Sequence, residues 1–172
     1  MIHSTHAIVG AAIASFLPTH PAAAFALGFA SHFVLDAIPH WDYPIKSPAV
    51  HPKIGGPITF DRVLLRDAFV IGSDGLLGVL VALLLFASPD GLWSVLLGAL
   101  GAMLPEPLHT IHAHFPYEPL QTLQRFHRWI HTEKRIKEDV ILGIGSQIAF
   151  VAVMVGLTMV AHYGVLDQAL AK

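Results

Sequence analysis

The feature that most constrains the fold is an uncharged run of 22 residues, VILGIGSQIAFVAVMVGLTMVA, at positions 140–161. At about 1.5 Å per residue, a helix of this length covers about 33 Å, enough to cross a hydrocarbon core of about 30 Å. A buried core helix is the alternative, but uncharged runs this long favour a membrane span. The composition agrees, because 54% of the 172 residues are hydrophobic and 13% are charged, against about 25% charged in soluble domains.

Four further apolar segments extend this prediction to an all-α, polytopic membrane bundle that forms one domain over 1–172. The five predicted membrane helices cover 4–17, 21–38, 64–88, 91–104 and 138–163. The first and fourth are short for a full crossing, at about 20 Å each. Small residues such as Gly10, Gly28 and Gly98 would let the helices approach closely. A short amphipathic helix is predicted outside the membrane at 119–133.

The basic residues are distributed unevenly over this topology. Alternation of five spans places the N-terminus and the two long connections, 39–63 and 105–137, on one side. Nine of the 10 Lys and Arg residues lie there, and only Lys172 lies on the other side. Basic residues concentrate on the cytoplasmic side of membrane proteins, so we expect this side to be cytoplasmic. We recognise no cleavable signal peptide, because the first residues lack Lys and Arg.

Histidines and acids show the same skew, since ten of the 12 histidines and ten of the 12 acids fall on that side. The positive-inside rule does not apply to histidine, so a shared site at the cytoplasmic helix ends is the simplest cause. The chain has no cysteine, which excludes disulfides and thiolate metal ligands. A net charge of −2 gives no reason to expect a nucleic acid partner.

The sharpest local motif is SHFVLDAIPHWD at 31–42. His32 and Asp36 are four residues apart and so share one helix face. The proline at position 39 ends the helix, and His40 and Asp42 follow in the turn. Imidazole and carboxylate groups at this spacing suit a divalent metal, zinc first, with manganese, iron or nickel as alternatives. The other interpretation is a structural pair of His32 and Asp36 that seals the helix end.

A second pair, His127 and His131, lies in the predicted amphipathic helix with the same four-residue spacing. Such spacing binds metal in helical sites. The glutamate of the HExxH motif is missing, because the chain has His-Arg-Trp-Ile-His, and this disfavours a zincin protease. Two interfacial histidines without a ligand role are the alternative.

Further polar residues fall at the same membrane level. Asp74 lies about ten residues into the third predicted span, where an acid is costly and indicates a functional site. A hydrogen-bonded helix-packing acid is the alternative for Asp74. His6 opens the first helix, and Glu106 lies between the two prolines that end the fourth. The loop expected after Glu106 carries three histidines whose role the sequence leaves open: His109, His112 and His114.

Five helix ends therefore bring histidine or carboxylate groups to one level, which predicts a site for one to three divalent metal ions. The predicted metal ligands are His6, His32, Asp36, His40, Asp74, His127 and His131. Asp42 or Glu106 would serve as catalytic base or as an additional ligand.

Four blocks carry a resemblance to known proteins: THAIVGAAIA, SHFVLDAIPHWD, GALGAMLPEPL and LQRFHRWIHT. Together they resemble small bacterial membrane proteins and, more distantly, the predicted membrane-bound metal-dependent hydrolases of the YdjM type. The resemblance covers most of the chain and implies an integral protein of the bacterial inner membrane. The two histidine motifs also resemble the all-helical zinc phospholipase C and nuclease fold. That analogy implies His32, Asp36, His127 and His131 as ligands, whereas the N-terminal tryptophan of that family is Met1 here.

The expected function is a membrane-embedded, metal-dependent hydrolase that acts on a phosphoester in a lipid-like substrate at the cytoplasmic face. A metal-ion carrier or sensor without hydrolysis is the alternative, with Asp67, Asp74 and His32 along its path. Few polar residues reach the far side of the predicted helices, which favours the hydrolase. A structural membrane protein with capping histidines and a soluble histidine-rich bundle are the remaining interpretations.

Overall fold

The computed structural model describes residues 1–50, 58–132 and 139–170, with backbone only for 163 and 165–170. Within these ranges the chain forms seven helices and no β-strand, which confirms the all-α prediction. The helices are α1 (His3–Ala14), α2 (Pro21–Asp36), α3 (Arg62–Phe86), α4 (Leu92–Met103), α5 (Pro105–His114), α6 (Leu120–Ile130) and α7 (Val140–Leu170).

The predicted helix ends agree with the observed ones to within three residues, except that α7 continues to Leu170, seven residues past its predicted end; α5 was not expected. The five predicted spans match α1–α4 and α7, and the predicted amphipathic segment matches α6; residues 133 and 138 lie outside the described part of the chain. The expected loop after the fourth helix was wrong. The fourth helix does end before the prolines, at Met103, but Pro105 then begins a new helix, because proline is well suited to the first helical position.

Of the described helices, α3 and the part of α7 from Val140 to His162 are long and apolar enough to cross a membrane. Most residues in both lie outside the protein interior, and large apolar side chains such as Leu84 and Ile141 are exposed. α1, α2 and α4 have 12, 16 and 12 residues, below the roughly 20 that a crossing needs. Two spans therefore meet the length requirement, and the expected five stay a prediction.

α1 occupies the centre of the bundle, where it contacts α2, α3, α4 and α7. Its residues from Thr5 to Ala12 are all buried. The main apolar core consists of small α1 side chains such as Ala7 and Ala11 packed against Phe86 of α3 and Val95 of α4. Because its neighbours cover it, α1 can be short and still lie in an apolar environment.

Three glycines allow α1, α2 and α4 to cross at backbone contact. A Cβ atom added to Gly10 would lie 2.5 Å from the carbonyl oxygen of Gly98, and one added to Gly28 would meet the same oxygen. Neither position therefore accepts a larger residue without moving a helix. The predicted close approach at these small residues is confirmed.

We expect Gly10→Ala to lower the free energy of unfolding by about 1–3 kcal/mol, because its new methyl group overpacks against α4. Gly145→Ala is the matched control on α7, where a Cβ would meet no described atom within 4 Å. The control should be neutral or slightly stabilising, since alanine favours a helix over glycine. Denaturant unfolding in detergent measures both, and equal stabilities would contradict the glycine contact.

Candidate metal centre

Five histidine rings surround the carboxylate of Asp36, the last residue of α2, which is fully buried. They reach it from α1, α2, α6 and the residues that follow α2 and α6. The Nε2 atoms lie 3.2 Å (His6), 3.1 Å (His32), 3.9 Å (His40), 3.1 Å (His127) and 3.7 Å (His131) from its oxygens. Six of the seven predicted ligands are thus brought together.

The two oxygens of Asp36 face different rings. Oδ2 faces His32, His127 and His131, whereas Oδ1 faces His6 and His40. Two groups of described residues have ligand atoms close enough to hold a metal ion: His32, Asp36, Glu106 and His127, and Asp36, His40 and His131. Asp36 belongs to both groups, so its carboxylate would hold a metal ion in either.

Backbone carbonyls fix the orientation of three of these rings. The Nδ1 atoms of His32, His40 and His131 each donate a hydrogen bond to a carbonyl oxygen. The acceptors are Ala102 at 2.8 Å, Ile38 at 2.6 Å and Thr132 at 2.9 Å. A carbonyl only accepts, so the proton is on Nδ1 and a neutral ring directs the Nε2 lone pair at the cluster. Metal-bound histidines have this same arrangement.

A triangle of two ring nitrogens and one carboxylate oxygen marks a position that suits a cation. Nε2 of His32 and Nε2 of His127 each lie 3.1 Å from Asp36 Oδ2, and 3.4 Å from one another. In a neutral His32 ring the proton is on Nδ1, so His32 Nε2 cannot donate. Only His127 Nε2 can then donate a hydrogen bond to one of the other two atoms. Protonating every ring would instead crowd several buried positive charges together, which is costly. A divalent ion satisfies all three atoms at once.

Several buried nitrogens make no hydrogen bond within the described residues. They include Nε2 of His6 and of His40, and Nδ1 of His127. His6 Nε2 lies 3.2 Å from Asp36 Oδ1, and His40 Nε2 lies 3.1 Å from Asp42 Oδ1, so a carboxylate is close to each. Buried polar atoms normally have a partner. A metal ion is a partner that these Nε2 atoms suit.

The α-amino group of Met1 also contacts the cluster, which sequence motifs did not indicate. Its nitrogen lies 2.8 Å from Asp36 Oδ1 and 3.2 Å from Asp42 Oδ1. Burial lowers the pKa of this amine, but Asp36 and Asp42 raise it by more, and the net pKa is above its usual value. A positive charge is therefore stable beside these carboxylates.

The two predicted catalytic acids lie at the margin of the cluster. Asp42 Oδ1 is 3.1 Å from His40 Nε2, and Glu106 Oε1 is 3.8 Å from His32 Nε2. Their side chains are 22% and 32% exposed, whereas that of Asp36 is fully buried. Both acids also line a cavity of about 430 Å³ between α3 and α5. They therefore separate the buried histidines from open space.

Asp74 lies outside both ligand groups of the described residues. Its carboxylate accepts hydrogen bonds from the Tyr43 hydroxyl and, at 2.9 Å, from the Ser4 N–H. Burial and the bond to Asp74 raise the pKa of Tyr43, so its hydroxyl stays protonated and donates. Asp74 thus has the hydrogen-bonded packing role that the sequence also allowed. It connects α3 to the beginning of α1 and to Tyr43, the residue after Asp42.

The histidines left open by the sequence lie on α5, outside both described ligand groups. The ring of His109 is edge-on to His127, with centroids 5.7 Å apart, and His114 Nε2 donates to the Ala49 carbonyl. Sequence reasoning missed Gln124, whose buried amide has no hydrogen-bond partner among the described residues. Its spacing from His127 and His131 places it on their face of α6, which was the available signal.

Comparisons with known proteins show no relative: no family model, no curated protein and no solved structure matches the chain significantly.

We expect Asp36→Asn to weaken metal binding by about 100-fold or more, because it removes the charge that both ligand groups share. Loss of a residue that only supports a ligand typically weakens metal binding by about 10- to 100-fold. Asp74→Asn is the matched control, an acid-to-amide change in a neighbouring helix, and should keep its metal. Elemental analysis and chelator competition on untagged protein measure both. Equal metal contents in the two variants would rule out Asp36 as the shared ligand.

Proposed function

We propose that this chain is a membrane-embedded, metal-dependent hydrolase of a phosphoester in a lipid-like substrate. The observation that carries the proposal is the shared carboxylate of Asp36 between two histidine groups, next to a cavity lined by two further acids. Paired divalent ions lower the pKa of bound water and neutralise a phosphoryl group. Zinc is our first choice, because histidine nitrogen and carboxylate oxygen are its common ligands.

The protein side chains have separate tasks in this proposal. The five histidines and Asp36 would hold the metal, and the backbone carbonyls keep three rings in place. Asp42 is partly exposed and lies at the cavity, so we assign it the role of general base toward water. Glu106 lies beside His32 at the margin of the cluster. We assign it one of two roles: a ligand in the group that contains His32, or the acid that protonates the leaving group.

The position of α6 supports a site near a membrane surface. The helix directs His127 inward, whereas Phe126 and Trp129 on other faces are exposed. Aromatic side chains favour the membrane–water interface. Together with the skewed basic residues, this supports a site at the cytoplasmic face of a bacterial inner membrane.

The carrier alternative is less well supported, because the acids expected along its path are already engaged. Asp67 accepts the N–H groups of Lys46 and Ser47, both at 2.7 Å. Asp74 is bonded to Tyr43 and Ser4. Backbone and tyrosine donors would have to be displaced before either acid could pass an ion.

We expect the zinc- or manganese-loaded protein to release phosphate from alkyl monophosphates, and Asp42→Asn to lower kcat by about 10²- to 10⁴-fold without losing metal. Asp90→Asn, an exposed acid in the short connection before α4, should keep the full rate. Phosphate release and metal content are measured on the same samples.

Two results would contradict these assignments. A metal-loaded wild-type protein that cleaves neither alkyl monophosphates nor phosphodiesters would favour the carrier or sensor. A full rate in Asp42→Asn would remove Asp42 as the general base.

A further inference from the structure

The cavity beside the cluster has one polar end and a long apolar wall. Asp42, Glu106 and Met1 form the polar end, where the cavity meets the candidate metal centre. The apolar wall includes Ile45, Val50, Ala68, Ile71, Pro107 and Ile111. This polarity matches an amphiphile whose charged head lies at the cluster and whose hydrocarbon part lies along the wall.

Two helices line the cavity with regularly spaced faces. α3 contributes Ala68, Ile71 and Gly72, and α5 contributes Pro107 and Ile111. The spacing of three and four residues places each set on one side of its helix. The apolar lining residues therefore share one side of each helix, and His3, Tyr43 and Thr110 are the further polar residues of the lining.

Gly72 lines this cavity without a side chain. A Cβ atom added there would meet no described atom within 4 Å. Ala68, one turn earlier, is also small and exposed. α3 is one of the two described helices able to cross a membrane, so this side of the cavity is where a chain from the bilayer would arrive.

We infer that the cavity binds the hydrocarbon chain of a single-chain alkyl or prenyl phosphate, with its phosphate at the metal centre between Asp42 and Glu106. The inference rests on the proposed function and names its substrate class. Two acids without metal would repel a phosphate, so the head group is held by the metal while the chain occupies the wall. A volume of about 430 Å³ lies at the low end for ligand pockets, which suits one chain rather than two.

The test compares butyl phosphate with dodecyl phosphate on the full-length, metal-loaded protein in nanodiscs. In wild type, we expect a higher kcat/KM for the dodecyl ester. Gly72→Leu fills the cavity and should lower kcat/KM for the dodecyl ester about 10- to 100-fold, a range typical of a few apolar contacts. The butyl ester should be less affected, because its short chain makes fewer apolar contacts with the wall.

The control is Gly145→Leu on α7, where a leucine also enters space free of described atoms but away from the cavity. It should keep the wild-type preference. Ala68→Leu fills the same wall from the neighbouring turn and should reproduce the effect of Gly72→Leu. An unchanged chain-length preference in both cavity variants, or an equal loss for both esters, would overturn the inference.

Binding separates this inference from the proposed function. Butyl and dodecyl phosphonates resist hydrolysis, and their affinities for the metal-loaded protein are measured by calorimetry. Chain-length-dependent binding that Gly72→Leu abolishes supports the cavity assignment even if no ester is cleaved. Hydrolysis without any chain-length dependence in rate or binding would retain the hydrolase and reject the cavity as a chain site.

Discussion

The fold depends on one buried negative charge, the carboxylate of Asp36. An ionised carboxylate with no solvent contact is strongly unfavourable unless charges or hydrogen bonds compensate it. Here the compensation comes from groups far apart in sequence, including the α-amino group of Met1 just before α1 and His127 on α6. The same carboxylate thus fixes the relative positions of α1, α2 and α6. Any cation in the cluster would act on the whole arrangement, so metal binding and stability should be linked.

The short helices determine where this charge lies. α1 and α2 are antiparallel neighbours, so the beginning of α1 and the end of α2 meet at one end of the bundle. Their crossing at Gly10, Gly28 and Gly98 keeps the backbones close enough for His6 and His32 to stack, with ring centroids 4.1 Å apart. The long helices α3 and α7 expose apolar surface instead. The polar cluster is therefore buried among short helices, none of which is long enough to cross a membrane by itself.

Local periodicity was sufficient to predict the residues that gather in the cluster, but not their tertiary partners. The four-residue spacing of His32 and Asp36 follows from helix geometry alone, and alternation of helices brings in His6 and His127. Asp74 was different, because its partner Tyr43 lies in a long connection whose path over α3 no periodic pattern predicts. Pro105 was assigned to a helix end, although proline suits the first turn of a helix equally well. Gln124 and the amine of Met1 belong to no motif.

The gradient of exposure across the cluster supports the proposed hydrolase over the carrier alternative. Asp36 is fully buried and its histidines are held by carbonyls, so this part of the site is rigid and closed. Asp42 and Glu106 are partly exposed and lie at an apolar cavity. A carrier has no need of an apolar cavity beside its outermost acids, because a hydrated ion gains nothing from such a wall. An amphiphilic phosphoester, the proposed substrate, would gain from both ends at once, because its phosphate would bind at the metal while its chain left water.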